Sequence, residues 1–376
     1  MIEEKVLFFY LKSGNGHYAV VKSISDFLLK KYGKQSVLIN AAVGSNKFIN
    51  FLFQDFYNKS QLKFKFLFEA LYFINKSKII SKFSNFAIYF FLRNKIKEYI
   101  EVEKPNKIIS AHFFLNRSIK RVLKELNLDI SFVIIVTDPF TAPLLWFTEN
   151  TQNFIVSSER VKKTALKMGV DEKLINIFPV VIDEKYSNNL NAEEIRLKKI
   201  DLNLDLDKKT ILMLSGGGGF PNGINIFKNI IKYNGNHQII VVCGSNEIMF
   251  KKLTDITSKL NLKNVKIFGF VNFVHDLINI SDVVVTKGGP ASIMEILILK
   301  KIPIIASYIW EQEKGNVEFV VDNNLGVYEK NSKKLGLIIN DVLKNKDNIC
   351  QKYLENIEKM NISNGLYNVS EYINNL

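Results

Sequence analysis

The chain has 376 residues, of which 47% are hydrophobic and 23% charged, so it is long enough for two globular domains and too apolar to be disordered. Its 51 lysines and arginines outnumber 37 acidic residues, and the net charge of +14 favours an anionic partner such as nucleic acid, an acidic lipid surface or a phosphorylated substrate. No uncharged apolar run approaches the ~20 residues of a membrane-spanning helix, and two distant cysteines exclude a disulfide framework, which fits a reducing cytoplasm.

Short β-type runs alternate with helical patterns along both halves of the chain. Because the runs are continuously apolar and separated by helices, they indicate parallel sheets covered on both faces. Two such series, separated by the polar stretch 183–209, predict two doubly wound α/β domains with a ligand cleft between them. The predicted strands are residues 6–11, 37–41, 107–110, 132–136 and 154–156 in the first half, and 211–215, 239–242, 265–268, 283–285 and 304–306 in the second.

The loop SGNGHYA, residues 13–19, follows the first predicted strand and opens a helix. It matches a G-x-G-x-x-A dinucleotide pattern, but the next strand offers no acidic residue for a ribose, so a nicotinamide cofactor is not expected. The loop instead presents His17 at a helix start. An imidazole near its ordinary pKa of ~6.5 is suited to accept a proton there, and capping of its own helix is the competing interpretation.

The segment from Lys47 to Ile100 interrupts this alternation. It holds ten basic residues against three acidic ones, with Phe and Tyr interleaved throughout. Such a composition suits helices lying on an anionic membrane, since rings enter the acyl boundary and lysines meet the headgroups. Two helices whose rings fill a domain core are the competing interpretation.

Two further predicted strands end in loops that could contribute to a binding site. Asp138 lies in VTDPFTAPLLW, at the end of a first-domain strand, where residues of a cleft are found. LSGGGGFPNG, residues 214–223, repeats the arrangement of strand, glycine loop and helix at the start of the second domain. No Lys-Ser or Lys-Thr follows it, so it is not a P-loop and ATP hydrolysis is not expected.

The stretch VVVTKGGPASIMEILILKKIPII, residues 283–305, predicts a strand that stops at two glycines and a helix that starts at Pro290. The free N–H groups of such a helix start carry about half a positive charge and form an anion site, for which a phosphate is the expected guest. Glu295 lies about 7.5 Å along the axis, at ~1.5 Å per residue, on the face of Ala291 and Ser292. Its carboxylate suits a ribose diol, and an ordinary surface position is the competing interpretation.

SYIWEQEKGN follows the next strand and brings Gln312, Glu313 and Asn316 after the carboxyl end of the sheet. Carboxylate and amide groups there suit sugar hydroxyls. A capping cluster for the helix KGNVEFVVDN is the competing interpretation.

Taken together, TKGGPASIMEILILKKIPIIASYIWEQEKGNVEFVVDNNLG resembles the donor-site block of the diacylglycerol glycosyltransferases of glycosyltransferase family 28. These include plastid monogalactosyldiacylglycerol synthases and bacterial processive diacylglycerol glucosyltransferases. Their pattern is close to T-K-x-G-P-x-T-I-x-E-A, a strand, and then G-Q-E-x-G-N. The resemblance extends in order through VVCGSNEIMFKKL, VKIFGFVNFVHDLINISDVV, IVTDPFTAPLLWF and SGNGH, and so covers nearly the whole chain.

The resemblance implies a GT-B architecture, with two Rossmann-like doubly wound domains facing an interdomain cleft. Residues 1–185 would form the acceptor and membrane-side domain, onto which a C-terminal helix at about 360–376 packs back, and residues 186–359 would bind the UDP-sugar. The implied reaction is an inverting transfer of a hexose from UDP-glucose or UDP-galactose to diacylglycerol in glycolipid biosynthesis. It would take place at the cytoplasmic face of an anionic membrane, with the protein bound peripherally and with no metal or other cofactor.

The same resemblance implies roles for individual residues. His17 would be the base, with Asp138 as its rival or orienter. The loop of Gly14, Asn15 and Gly16 would lie on the acceptor side. The uracil would be held by the backbone groups of Phe270 and Val271, the ribose by Glu295 and the sugar by Gln312 and Glu313, with Asn316 also in the donor site. The residues at the diphosphate would be Gly217, Gly218, Gly289, Pro290, Ala291 and Ser292.

Two alternatives remain open. A related enzyme class transfers N-acetylglucosamine to a muramyl-peptide lipid, but it usually has a Gly-Gly-x-Gly-Gly-His loop and a Gln-Gln pair, where this chain has SGNGH and EQE. A non-enzymatic nucleic-acid-binding protein would use the lysines for phosphates and the rings for base stacking. We expect the glycolipid enzyme and no nucleic-acid partner.

Overall fold

The computed structural model describes residues 4–12, 16–43, 78–214, 220, 222–233, 235–309 and 311–376, with the backbone alone for 78–87. The chain divides into two compact units. The first comprises Met1–Glu184, Trp310–Gln312 and Asn364–Leu376, and the second comprises Lys185–Ile309 and Glu313–Ser363.

Strands and helices alternate through both units. The strands are β1 (Lys5–Tyr10), β2 (Gln35–Asn40), β3 (Lys107–Ser110), β4 (Ser131–Ile135), β5 (Asn153–Val156), β6 (Ile175–Ile177), β7 (Thr210–Leu214), β8 (Gln238–Val242), β9 (Val265–Phe268), β10 (Val283–Lys287), β11 (Ile302–Ser307) and β12 (Val327–Tyr328). The helices are α1 (Gly16–Tyr32), α2 (Lys78–Glu103), α3 (Phe113–Glu125), α4 (Glu159–Lys167), α5 (Ala192–Asp201), α6 (Gly223–Tyr233), α7 (Glu247–Lys259), α8 (Val274–Asn279), α9 (Pro290–Ile298), α10 (Lys314–Asp322), α11 (Ser332–Leu343), α12 (Ile349–Met360) and α13 (Leu366–Asn375).

Each unit contains one six-stranded, wholly parallel sheet. The strand order is β2-β1-β3-β4-β5-β6 in the first unit and β12-β11-β10-β7-β8-β9 in the second. The order reverses between β1 and β3 and again between β7 and β10. In doubly wound sheets, ligands bind beyond the carboxyl ends of the strands at such reversals. The predicted pair of doubly wound α/β domains is confirmed, and the short edge strands β6 and β12 were not predicted.

Both faces of the first sheet are covered, because side chains alternate along each strand. Leu7 and Phe9 of β1 belong to a core cluster on one face together with α2 and α3. The buried side chains of α2 in this cluster recur every four residues, as expected for a helix with one apolar stripe: Ile88, Leu92, Ile96 and Ile100.

The C-terminal helix α13 packs beside α1 on the other face of this sheet. Val369 and Ile373 of α13 share a core cluster with Phe8 of β1 and with α1. The buried ammonium group of Lys107 donates to the carbonyl oxygens of Ile373 and Asn374, at 3.1 and 2.9 Å. A cation at the carboxyl end of a helix satisfies carbonyls that lack intrahelical partners. This contact holds α13 against β3.

The basic aromatic segment is described in part. Residues 44–77 and the side chains of 78–87 lie outside the described residues. The predicted membrane contact can therefore be compared with the structure only in the later part of α2. There Phe90 and Phe91 are exposed, whereas Arg93 pairs with Glu125 and Lys95 with Glu98. Among the helices of the described ranges, none combines the length and apolarity that a bilayer span requires.

Candidate functional site

His17 lies at the carboxyl edge of the first sheet, in the first turn of α1, and only 8% of it is exposed. Its Nδ1 atom is 2.8 Å from the hydroxyl oxygen of Thr137, which follows strand β4. Its ring lies against His112, with 4.7 Å between ring centroids, and 6.5 Å from the ring of Trp146. Nδ1 therefore contacts a neighbouring loop and does not cap the helix to which His17 belongs.

The ordinary pKa expected for His17 is wrong. Burial disfavours the charged ring and lowers the pKa of His17 to about 4, while a hydrogen bond with the Ala111 backbone acts in the opposite direction. The imidazole is therefore neutral at pH 7, which is the form that accepts a proton. The sequence could not predict this pKa shift, because the shift depends on groups near β3, β4 and α3 that enclose the ring only in the folded protein.

His112 is a second buried imidazole that the sequence patterns did not single out. It is the N-cap of α3, and its Nδ1 accepts a hydrogen bond of 3.3 Å from the Phe114 backbone N–H. Burial, and then the neighbouring His17, hold the pKa of His112 well below its ordinary value. Its position could have marked it as a candidate site residue, because it closely follows β3, the strand that pairs with β1 at the sheet reversal.

Asp138 lies in the same region but is bound to a different partner from the one expected. It is buried, and it accepts a hydrogen bond of 2.7 Å from the indole nitrogen of Trp146. The carbonyl oxygen of Trp146 accepts from the Asn116 amide at 3.2 Å, and Asn116 in turn accepts from Ser110 at 2.7 Å. This network fixes the loop after β4, in which the Thr137 hydroxyl group contacts Nδ1 of His17. The roles of base or orienter for Asp138 remain predictions.

Two neutral buried histidines predict how stability depends on pH. We expect the free energy of unfolding to fall as the pH is lowered from 7 towards 4. Both histidines have a lower pKa in the folded protein than in the unfolded chain, so the unfolded chain binds more protons in this range. Urea denaturation at several pH values measures this slope. The variant carrying His17→Gln and His112→Asn, in which Asn retains a capping side chain, should show a shallower slope, and an equal slope would contradict the prediction.

The predicted helix start in the second unit is present. Strand β10 ends at Lys287, where its register with β11 shifts, and Gly289 is the N-cap of α9 with Pro290 inside the first turn. No side chain caps this end, so the first N–H groups of α9 remain available at the carboxyl edge of the sheet. Strand β7, the neighbour of β10, ends at Leu214 at the same edge of the sheet, and the predicted contacts of Gly217 and Gly218 lie outside the described residues.

Gly288 has a tightly enclosed backbone. Its N–H donates to the Ser307 carbonyl oxygen at 2.8 Å, and its own carbonyl oxygen accepts from the Asn316 amide at 2.9 Å. A Cβ atom added to Gly288 would lie 2.7 Å from Cβ of Tyr308 and 3.1 Å from Cγ2 of Val317. Only glycine fits this position without displacing the loop.

Glu313 and Asn316 organise the donor block itself. Glu313 is buried, and its Oε2 accepts from the Ile309 N–H at 2.7 Å, while its Oε1 lies 3.9 Å from Nζ of Lys287. Asn316 is also buried and holds Gly288 through the bond described above. Their predicted contacts with the donor remain predictions, as does that of the half-buried Gln312.

The exposed face of α9 is the predicted one. Ala291, Ser292 and Glu295 are half-exposed, whereas the intervening Ile293 and Met294 are buried. Phe270, in the turn after β9, is 77% exposed, and the adjacent Val271 is half-buried. A ring this exposed in a turn at the carboxyl edge is available for contact with a ligand.

Two remaining site predictions concern the loop before α1 and metals. Gly16 is the first residue of α1, and a Cβ there would meet no atom within 4 Å, while Gly14 and Asn15 lie outside the described residues. Within the parts of the chain that the structure describes, no three His, Cys, Asp or Glu side chains are grouped so as to hold a metal ion.

Two family models match the chain in succession. The monogalactosyldiacylglycerol (MGDG) synthase model matches residues 17–182, and the model of the glycosyltransferase family 28 C-terminal domain matches residues 210–372. Monogalactosyldiacylglycerol synthase 3 of Arabidopsis thaliana is 30% identical to this chain over 284 residues. That match covers 73% of this chain and 60% of the relative, so the chain spans about three fifths of the relative's length.

Two solved structures share the fold at low sequence identity. Anabaena Alr3699/HepE in complex with UDP is 12% identical, with a TM-score of 0.61 over 99% of this chain and 100% of that one. Acinetobacter baumannii MurG is 11% identical, with a TM-score of 0.64 over 99% and 100% of the two chains. These likenesses confirm the GT-B fold with its two Rossmann-like domains. Since the two models match successive halves of the chain, and the block from β10 to α10 carries the motif, the chain belongs to glycosyltransferase family 28, and its first half is similar to the monogalactosyldiacylglycerol synthases.

Proposed function

We propose that this protein is an inverting glycosyltransferase that moves a hexose from a UDP-sugar to diacylglycerol. The observation that carries the proposal is the uncapped N-terminus of α9 behind the enclosed Gly288, in a block that has the motif of the family. The relatives named monogalactosyldiacylglycerol synthase and the structural relative solved with UDP support the substrate classes. UDP-glucose and UDP-galactose are both candidate donors.

In the proposed reaction, His17 is the general base. Its neutral imidazole takes the proton of the acceptor hydroxyl group, and the hydroxyl oxygen attacks the anomeric carbon on the side opposite UDP. One C–O bond forms as the bond to the diphosphate breaks, and its electron pair leaves with UDP. The configuration at the anomeric carbon is inverted.

Charge develops on the diphosphate as the sugar leaves. In this proposal the charge is stabilised by the uncapped N–H groups at the start of α9 and by the ammonium group of Lys287, which lies 3.9 Å from Glu313. Preorganised donors of this kind stabilise a transition state without reorganisation. We therefore assign no metal ion to the reaction, and we expect activity to persist in the presence of a chelator. The predicted uracil, ribose and sugar contacts of Phe270, Val271, Glu295 and Gln312 complete this donor site.

We place the protein peripherally on the cytoplasmic face of an anionic membrane. Phe90 and Phe91 of α2 are 62% and 39% exposed, in a segment where basic and aromatic residues are dense. Exposed rings enter the interface, and lysines attract acidic headgroups. Arg93 and Lys95 are paired with carboxylates, so in the described part of α2 we expect the two rings to provide most of the attraction to the membrane.

Vesicle flotation tests the membrane contact. The double variant Phe90→Ala with Phe91→Ala is expected to bind anionic vesicles at least ~10-fold less tightly, since each ring removed from water contributes on the order of 1.5–3 kcal/mol. Ile248→Ala removes another exposed apolar side chain, from α7, and should bind as the unmodified protein does. Equal flotation of the two variants would contradict a role for α2.

Product analysis tests the reaction. The protein is incubated with diacylglycerol vesicles and either UDP-glucose or UDP-galactose, with and without chelator, and lipids are separated and their anomeric configuration determined. A β-linked hexosyl diacylglycerol from an α-linked donor is the expected product. Transfer of N-acetylglucosamine to a muramyl-peptide lipid, or nucleic-acid binding at physiological salt without any transfer, would overturn the proposal in favour of one of the two alternatives.

A further inference from the structure

The contact between His17 and Thr137 assigns a role to a residue that the sequence patterns did not mark. The Oγ1 atom of Thr137 is 2.8 Å from Nδ1 of His17, which is within hydrogen-bonding distance. Thr137 is half-buried and is followed by Asp138, whose bond to Trp146 anchors this loop. The backbone that carries the Thr137 hydroxyl group is therefore held in place by the neighbouring Asp138.

The partner of one imidazole nitrogen decides which nitrogen carries the proton. If Nδ1 donates its hydrogen to Thr137, the lone pair on Nε2 is available, and if Thr137 donates to Nδ1, Nε2 carries the hydrogen and cannot act as a base. In many His-based sites a carboxylate imposes the first arrangement. Here the atom in that position is a neutral hydroxyl oxygen.

Four other groups lie near the ring of His17 or next to Thr137. His112 faces the ring of His17, but its Nδ1 accepts the Phe114 N–H, so its own proton is on Nε2 and it caps α3. The carboxylate of Asp138, which follows Thr137, accepts a hydrogen bond from the indole nitrogen of Trp146. The ring of Tyr10, on β1, packs against the ring of Tyr18, with 5.3 Å between the two ring centroids. The Ala111 backbone favours the protonated ring and thus the product of proton transfer.

We propose that Thr137 is a positioning residue that accepts the Nδ1–H of His17 and so directs the Nε2 lone pair towards the acceptor hydroxyl group. This inference rests on the proposed function of His17 as the base. A hydroxyl oxygen that accepts the Nδ1–H leaves the lone pair on Nε2 and adds no negative charge next to the ring. The ring consequently stays neutral in the free enzyme over the whole range near pH 7, and it gains a charge only as the proton is transferred.

Nitrogen NMR of histidine-labelled protein tests the tautomer without reference to activity. We expect the Nδ1 of His17 to give the signal of a protonated nitrogen and Nε2 that of an unprotonated one, with assignment by loss of the signals in His17→Gln. In Thr137→Val, which keeps the shape and removes the hydroxyl group, the two tautomers should become mixed. A wild-type His17 protonated on Nε2 would overturn the proposal, even if sugar transfer were confirmed.

Kinetics of matched variants provide the second test. Thr137→Val is expected to lower kcat about 10- to 100-fold, in line with the loss of a hydrogen bond that orients a reacting group, whereas Thr137→Ser retains the hydroxyl group and most of the rate. In a His17→Ala background, Thr137→Val should have little further effect. Equal rates of the Val and Ser variants, or an equal loss in both backgrounds, would overturn the proposal. If no lipid product forms at all, the proposed function fails, and the NMR result still decides the role of Thr137.

Discussion

Replacing His17 with alanine is expected to lower kcat for sugar transfer by ~10²–10⁴, the usual contribution of a general base. The KM for the UDP-sugar should change little, because the donor block lies in the second unit, on β10 and α9. Steady-state kinetics with diacylglycerol vesicles measures both quantities. The pH dependence of kcat/KM should show no loss between pH 7 and 5, since the pKa of His17 is held at about 4.

The matched control for this prediction is Asp138→Asn. The asparagine oxygen can still accept the hydrogen bond from Trp146, so the buried network survives, while the charge and any basic function are lost. We expect this variant to lose less than ~10-fold in kcat. If instead Asp138→Asn loses as much as His17→Ala is predicted to, and His17→Ala loses less than tenfold, then Asp138 is the base.

Replacing Gly288 with alanine is expected to abolish measurable UDP binding and to destabilise the second unit. The new Cβ atom would lie 2.7 Å from Cβ of Tyr308 and 3.1 Å from Val317, and neither a Cβ atom nor a β-branched side chain yields easily. Overpacking of this kind costs about 1–3 kcal/mol. The displaced loop also loses the positions of the N–H groups that begin α9. Titration calorimetry with UDP and thermal denaturation measure the two effects.

Gly289→Ala separates binding from stability. Its Cβ atom would meet Oε1 of Glu313 at 3.7 Å and Cε of Lys287 at 3.8 Å, both ordinary contacts, and its φ of −66° suits any residue. The melting temperature should therefore stay near that of the unmodified protein. UDP affinity should fall about tenfold, or ~1.4 kcal/mol, because a methyl group between these side chains keeps a phosphate away from the helix start. Undiminished UDP binding in both glycine variants would place the anion site elsewhere.

Much of the fold and of the donor block was predictable because it depends on local patterns. The central strands are four to six residues long and mostly apolar, since both faces of a parallel sheet are covered and no alternation is needed. Pro290 begins α9 because its missing N–H would be unpaired there in any case. The edge strands β6 and β12, of three and two residues, are too short for such a pattern, and only their pairing with β5 and β11 defines them.

The residue pattern alone is enough to predict the two doubly wound domains, the helix start after Gly289 and the histidine at the start of α1. The tertiary structure alone decided what surrounds that histidine. Thr137 and His112 follow strands β4 and β3, far along the chain from His17, and the burial that lowers the pKa of His17 exists only once β1, β3 and β4 lie side by side. Hydrogen bonding and desolvation act through space, so no local pattern could place a hydroxyl group and not a carboxylate on Nδ1 of His17.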